Sequence, residues 1–157
     1  MEKGKKIKRL TRGAIIGALY AALTFLLAPI SFGAVQCRVS EALCILPLFT
    51  PDAIWGLFAG CLITNIYSGS IIDIVCGSLT TLLAAFLTYK TRKHPAAAMA
   101  FPCILNGIVV GGYLSLFIAD GMPVALCMLA VAAGEAVACY GLGMPIYYVL
   151  KKKKFKL

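Results

Sequence analysis

Fourteen of the fifteen Lys and Arg residues in this chain fall into three short runs, at 3–12, 90–93 and 151–156. Arg38 alone lies outside them. The stretches 13–89 and 95–150 between these runs hold only Arg38, Glu41, Asp52, Asp73, Asp120 and Glu135 as charged residues. Of the 157 residues 61% are hydrophobic and 13% charged, whereas a soluble domain is roughly 45–50% apolar and about 25% charged. A globule of this length exposes more surface than so few charges can cover. Nor does the net charge of +9 point to nucleic acid, which needs Lys and Arg spread along one solvated face. The pattern predicts an all-α integral membrane protein, in contact with the lipid bilayer and not with nucleic acid.

Lys and Arg near span ends mark the cytoplasmic side, so all three runs lie inside and each intervening stretch crosses an even number of times. A basic run before an apolar stretch can open a cleaved signal. Here the remainder is equally apolar, and 13–28 is read as a retained span. Turn signals at Pro29, at Thr50-Pro51-Asp52 and at Ser68-Gly69-Ser70 then divide the chain. They predict helices at about 10–29, 40–50, 52–67, 71–89, 96–118 and 123–150, with Asp52 as an N-cap. The second and third are short, about 16 Å and 24 Å at 1.5 Å per residue. The expectation is a six-helix bundle with both termini cytoplasmic. A single transmembrane domain at 13–150 lies between basic ends at 1–12 and 151–157, and the one longer loop, 30–39, lies outside.

The seven cysteines form no CxxC pair and read as small core residues. His94 has no partner at metal-ligand spacing, and no cofactor is called for. The chain lacks G-x-x-x-x-G-K-[ST], G-x-S-x-G and H-E-x-x-H, so neither ATP hydrolysis nor another hydrolase chemistry is expected of it. No inverted repeat of the secondary-transporter kind is evident.

Small-residue stripes let helices approach closely in lipid. The first helix carries two of them, Gly13/Gly17/Ala21 and Ala14/Ala18/Ala22. Others recur at Gly56/Gly60, Gly77/Thr81/Ala85 and Gly107/Gly111 and are assigned to packing within the bundle. The wide small face of the first helix is offered to a partner protein as well.

Charge inside a bilayer costs at least ~2.5–3.5 kcal/mol per group and usually serves function. Glu135 falls about 18 Å beyond Pro123, near mid-membrane. Asn106 and Tyr113 share a face seven residues apart, and Asn65 lies near the outer end of its helix. Gln36, Arg38, Ser40 and Glu41 cluster on the outer side, while Asp73 and Asp120 suit either capping or ligand contact. Arg38 against Glu41, Asp73, Asp120 and Glu135 leaves a net of −3, a balance that favours a cationic or donor-rich small molecule.

The run FGAVQCRVSEAL at 32–43, LPLFTP at 46–51, Gly60-Cys61 with Asn65, and Asp73 before Gly77-Ser78-Leu79 resemble the signature of the queuosine-precursor transporter (QueT) family. Gly134-Glu135, Cys139-Tyr140 and Gly143-x-Pro145 extend the resemblance to the last helix. It implies the substrate-binding S component of an energy-coupling factor transporter in a bacterial cell membrane. Such a component engages a shared transmembrane coupling protein through an AxxxA-type face, matched here by Ala14, Ala18 and Ala22. Two ATPase subunits supply the energy. The implied substrate is a deazapurine precursor of queuosine, foremost 7-aminomethyl-7-deazaguanine. The stretch IADGMPV at 118–124 departs from the aromatic-rich character of the family there, which puts contacts from that loop in doubt.

Set beside this ligand, Glu135 or Glu41 is expected to take the guanine edge, because a carboxylate accepts paired N–H donors. Gln36, Arg38, Asn65 and Asn106 are expected to donate. Asp73 or the second Glu would meet the amine, and Tyr113 or Tyr140 would stack on the ring. The alternatives are a small proton-coupled transporter of cationic compounds using Glu135, an S component for another vitamin, and an intramembrane enzyme, for which no nucleophile–base pair is visible.

Overall fold

A computed structural model of the chain describes residues 2–31, 38–117 and 121–153, and every regular element among them is helical. Backbone groups in hydrocarbon must be satisfied within the chain, which favours helices wherever water is absent. In order they are α1 (Glu2–Leu26), α2 (Ala28–Ser31), a 3-10 helix (Val39–Leu48), α3 (Asp52–Ser68), a π-helical turn (Asp73–Gly77) that runs into α4 (Ser78–Lys90), α5 (Pro95–Ala98), α6 (Ala100–Phe117), α7 (Val124–Ala136), a second π-helical stretch (Val137–Gly143) and α8 (Met144–Lys152). Among the described residues three helical stretches are long and apolar enough to cross a membrane: Glu2–Leu26, Pro95–Phe117 and Val124–Lys152.

Several details differ from the sequence reading. The first helix begins at Glu2, because the basic run is itself made of good helix formers. The predicted α-helix at 40–50 is a 3-10 helix over Val39–Leu48. Pro47, inside it, cannot donate to an α-helical ladder, and a 3-10 rise of ≈ 2.0 Å per residue stretches the segment to about 20 Å. The helices predicted at 71–89 and 123–150 are each interrupted by π-helical turns. Asp52 is not the N-cap of α3. It sits in the first turn after Pro51, and its carboxylate takes Arg9 at 2.9 Å and Arg12 at 3.5 Å from α1.

Close packing follows the small residues. A Cβ on Gly17 would lie 2.9 Å from the Gly56 carbonyl oxygen, and one on Gly60 would lie 2.7 Å from that of Gly17. Only glycine permits α1 and α3 to touch backbone to backbone there. Gly107 of α6 meets Ala132 of α7 in the same manner. Gly69, at φ 77°, closes α3 in the left-handed conformation.

α1 packs on α3, α3 on α4, α4 on α6, and α6 on α7. The Val137–Gly143 stretch contacts the 3-10 helix, which in turn contacts α1 and closes the ring. Every 3-10 residue from Ser40 to Pro47 is buried. Around this segment Tyr20, Leu57, Cys61, Ala85, Met99 and Cys139 form the apolar core. The outer faces carry exposed Ile15, Leu19, Ile63, Leu83, Ile108 and Leu129, as surfaces meeting lipid tails require.

Candidate functional site

The interior of this ring is polar. On the 3-10 helix, residues i and i+3 eclipse, so Cys44 stands over Glu41 and its thiol reaches Oε2 at 2.8 Å. From α1 the Tyr20 hydroxyl donates to Glu41 Oε1. One turn on, the Thr24 hydroxyl lies 2.7 Å from Ser40 Oγ. Both oxygens of the Glu41 carboxylate are therefore engaged by the chain itself.

A second group joins α3, α4 and α6. Cys61 Sγ accepts from Asn65 Nδ2 at 3.4 Å and from the Thr81 hydroxyl at 3.3 Å, with Arg38 Nη1 at 3.8 Å. Asn65 Nδ2 also points at the Asp73 carbonyl oxygen, 2.8 Å away, and at Ser78 Oγ, 3.2 Å away. The Tyr113 hydroxyl donates to Asp73 Oδ1. Gly77, in the π-helical turn, makes room for this: a Cβ there would lie 3.0 Å from Asn65 Nδ2 and 3.3 Å from the Tyr113 hydroxyl. Such turns are frequent where a helix presents functional groups.

The third group spans α6 and α7. Asn106 Nδ2 donates to Glu135 Oε1 at 2.9 Å. Glu135 Oε2 is buried and meets no hydrogen-bonding group among the described residues, and the same holds for Asn65 Oδ1. Cys139, one turn past Glu135, places its thiol 3.6 Å from the Glu41 carbonyl oxygen and ties this group to the first. Glu135 lies within electrostatic reach of both Glu41 and Arg38.

Arg38, Glu41, Asn65, Asp73, Asn106, Tyr113 and Glu135 thus all lie buried in one interior. Tyr140 does not join them. It is 38% exposed, and its hydroxyl donates to the Ala96 carbonyl oxygen at 2.8 Å. Gln36 and Asp120 lie outside the described residues, as does most of the predicted 30–39 loop. The Asn65 amide nitrogen, expected to serve a ligand, is engaged by Asp73 and Ser78, and that of Asn106 gives one of its two N–H groups to Glu135.

Sequence reasoning gave no site role to Tyr20, Thr24, Cys44, Cys61, Ser78 or Thr81; Cys61 and Ser78 entered only through the family signature and Thr81 only as a packing residue. Tyr20 and Thr24 at i, i+4 were a readable signal, being polar groups one turn apart on an apolar helix. The two thiols were not, because a core cysteine and an acceptor cysteine have the same sequence context.

Charge within this interior is unbalanced. Glu41, Asp73 and Glu135 are buried there with Arg38, and among the described residues no Lys, Arg or His nitrogen lies at ion-pair distance from the three carboxylates. Desolvated anions in such excess call for donors. The arrangement is suited to hold a small molecule rich in N–H groups. Among the described residues there is no cluster fit to hold a metal ion.

α1 has two distinct faces. Gly17 and Ala21 are buried, whereas Ala14, Ala18 and Ala22 are exposed. Ala14 and Ala18 line a groove of about 680 Å³ between α1 and α3, bordered by Leu10, Trp55, Phe58 and Ile63.

Comparison with known proteins adds to this geometry. The family profile described as QueT transporter matches residues 10–152. A curated relative, the queuosine precursor transporter QueT of Lactococcus lactis subsp. cremoris (strain MG1363), is 40% identical over 72 residues, which cover 45% of this chain and 43% of that protein. The match thus spans less than half of either chain. No solved structure is similar.

Proposed function

The chain belongs to the QueT transporter family, and from that premise we propose that it captures a queuosine precursor of the 7-deazaguanine type within the membrane. The observation that carries the reading is Glu135. A guanine-like edge presents paired N–H donors, and a carboxylate accepts them best when an oxygen is free. Glu41 is committed to Tyr20 and Cys44, while Glu135 keeps Oε2 open. Glu135 therefore takes the base edge, fixed in orientation by Asn106. Arg38 supplies the donor that the ring carbonyl needs, with Gln36 as a further donor, and Tyr113 flanks the ring.

In this reading the protein is an S component with no catalytic step of its own, in a bacterial cell membrane. Six segments form one transmembrane domain: α1, the 3-10 helix, α3, the π turn with α4, α5 with α6, and α7 through α8. Both basic ends face the cytoplasm, as the distribution of Lys and Arg requires. The exposed Ala14, Ala18 and Ala22 stripe receives a transmembrane coupling protein, whose ATPase subunits power release.

Calorimetry of the detergent-purified protein with a 7-deazaguanine queuosine precursor, guanine, riboflavin and thiamine tests the substrate. Stoichiometric binding of the deazaguanine alone is expected. Binding of a vitamin instead would overturn the assignment. Uptake by the chain alone in liposomes under a pH gradient would replace the S-component reading with a proton-coupled one.

A further inference from the structure

Among the described residues two buried side-chain oxygens meet no hydrogen-bonding group, and both are acceptors: Glu135 Oε2 and Asn65 Oδ1. The orientation of the Asn65 amide is fixed by chemistry. The Asp73 carbonyl oxygen 2.8 Å from it can only accept, so the nitrogen faces Asp73 and the oxygen is the open atom. Asn65 is fully buried, and a buried acceptor without a donor is costly unless something arrives to fill it. Its neighbour Asp73 carries a buried carboxylate held by Tyr113. The corner around Asn65 therefore presents an open amide oxygen on a residue hydrogen-bonded to the backbone of Asp73, whose carboxylate is buried in the same interior.

We propose that Asn65 is the residue that reads the substituent of the bound base, its carbonyl accepting an N–H from a cationic amine, so that the site selects an amine-bearing precursor over a nitrile-bearing one. The proposal rests on the deazaguanine reading above. An ammonium brings three donors and a positive charge, enough to serve Asn65 Oδ1 and the Asp73 carboxylate together. A nitrile nitrogen only accepts; it would leave Oδ1 unpaired and face the lone pairs of Asp73. The ring N–H of the five-membered ring is the competing donor, but it is single and neutral and leaves the Asp73 charge unanswered. Ser78 and the Asp73 carbonyl position the Asn65 side chain through its Nδ2, and Gly77 leaves room for it.

The test compares three 7-deazaguanines, bearing aminomethyl, methyl or nitrile at the same carbon, by calorimetry on the full chain and on Asn65→Leu. The wild-type protein is expected to prefer the amine by roughly 10- to 100-fold over the other two, the range of a charge-assisted hydrogen bond. In Asn65→Leu the preference is expected to fall by about 10-fold, the share of the one hydrogen bond to Oδ1, while the methyl base still binds and Asp73 keeps its residual attraction for the amine. Asn65→Ser carries the same expectation where the leucine variant does not fold. Equal or tighter binding of the nitrile by the wild-type protein would overturn the proposal, and would assign Oδ1 to the ring N–H or to a trapped water. A preference of unchanged size in both variants would overturn it too. Failure of all three bases to bind would instead remove the deazaguanine reading, which is a separate result.

Discussion

Glu41 and Glu135 are both buried carboxylates in an apolar chain, and their hydrogen bonds set them apart. Tyr20 and Cys44 hold both oxygens of Glu41, so this residue ties α1 to the 3-10 helix. Glu135 is held at one oxygen only. Exchanging each for its amide should separate the roles. In Glu135→Gln the amide oxygen still accepts from Asn106, but an NH2 group now faces the donors of the ligand. Affinity should fall at least about 10-fold with the melting temperature little changed, since one charge-assisted hydrogen bond is lost and a donor faces a donor. In Glu41→Gln the NH2 group faces a donor of the chain itself, and stability should drop by about 1–3 kcal/mol, seen as a lower melting temperature. A Glu135→Gln protein that binds normally would remove this residue from the site.

At the scale of elements, two adjacent stripes of α1 differ in what they meet. Its glycine face meets the backbone of α3, with Gly17 against Gly56 and Gly60. Gly17→Val puts a branched side chain where a Cβ alone would be 2.9 Å from a carbonyl oxygen. The variant should lose about 1–3 kcal/mol through overpacking, measured by thermal unfolding. Ala18, on the exposed stripe, has no such neighbour. Ala18→Trp should keep ligand binding and unfolding temperature while abolishing uptake by the assembled transporter. Lost binding instead would mean that this face packs within the protein. The 3-10 helix gives the other lesson at this scale. Its residues read as a short α-helix, and the tighter winding is what aligns Glu41 with Cys44.

For the whole molecule, charge sets the arrangement. The basic runs flank stretches in which the described charged groups are buried or paired: Asp52 with Arg9 and Arg12, and Arg38, Glu41, Asp73 and Glu135 inside the ring. In the proposed topology an epitope tag at either terminus should be reached by antibody only after cells are permeabilised. A tag inserted after Gly121 should be reached in intact cells. Labelling of a terminal tag in intact cells would break the six-segment reading and require an odd number of crossings.

Residue content alone determined that this chain lives in a membrane and which groups inside it needed explaining. Hydration is additive along a chain: each apolar run and each Lys or Arg contributes wherever its neighbours happen to lie, so turns were legible at Pro51 and Gly69, whereas Pro29, read as a break, lies inside α2 and the first helix ends at Leu26. The candidate site was legible as a set, because Asn65, Asp73, Asn106 and Glu135 are costly in lipid whatever their partners. Who pairs with whom was not legible. Tyr20 with Glu41, Asp73 with Tyr113 and Asn106 with Glu135 are brought together across 21, 40 and 29 residues by a ring that closes only when all the helices pack. That closure decided that Glu41 is occupied and Glu135 open, that Tyr140 faces outward, and that Asn65 offers its oxygen where its nitrogen was expected. A hydrogen bond is directional and needs two partners in place, and only the tertiary structure fixes both.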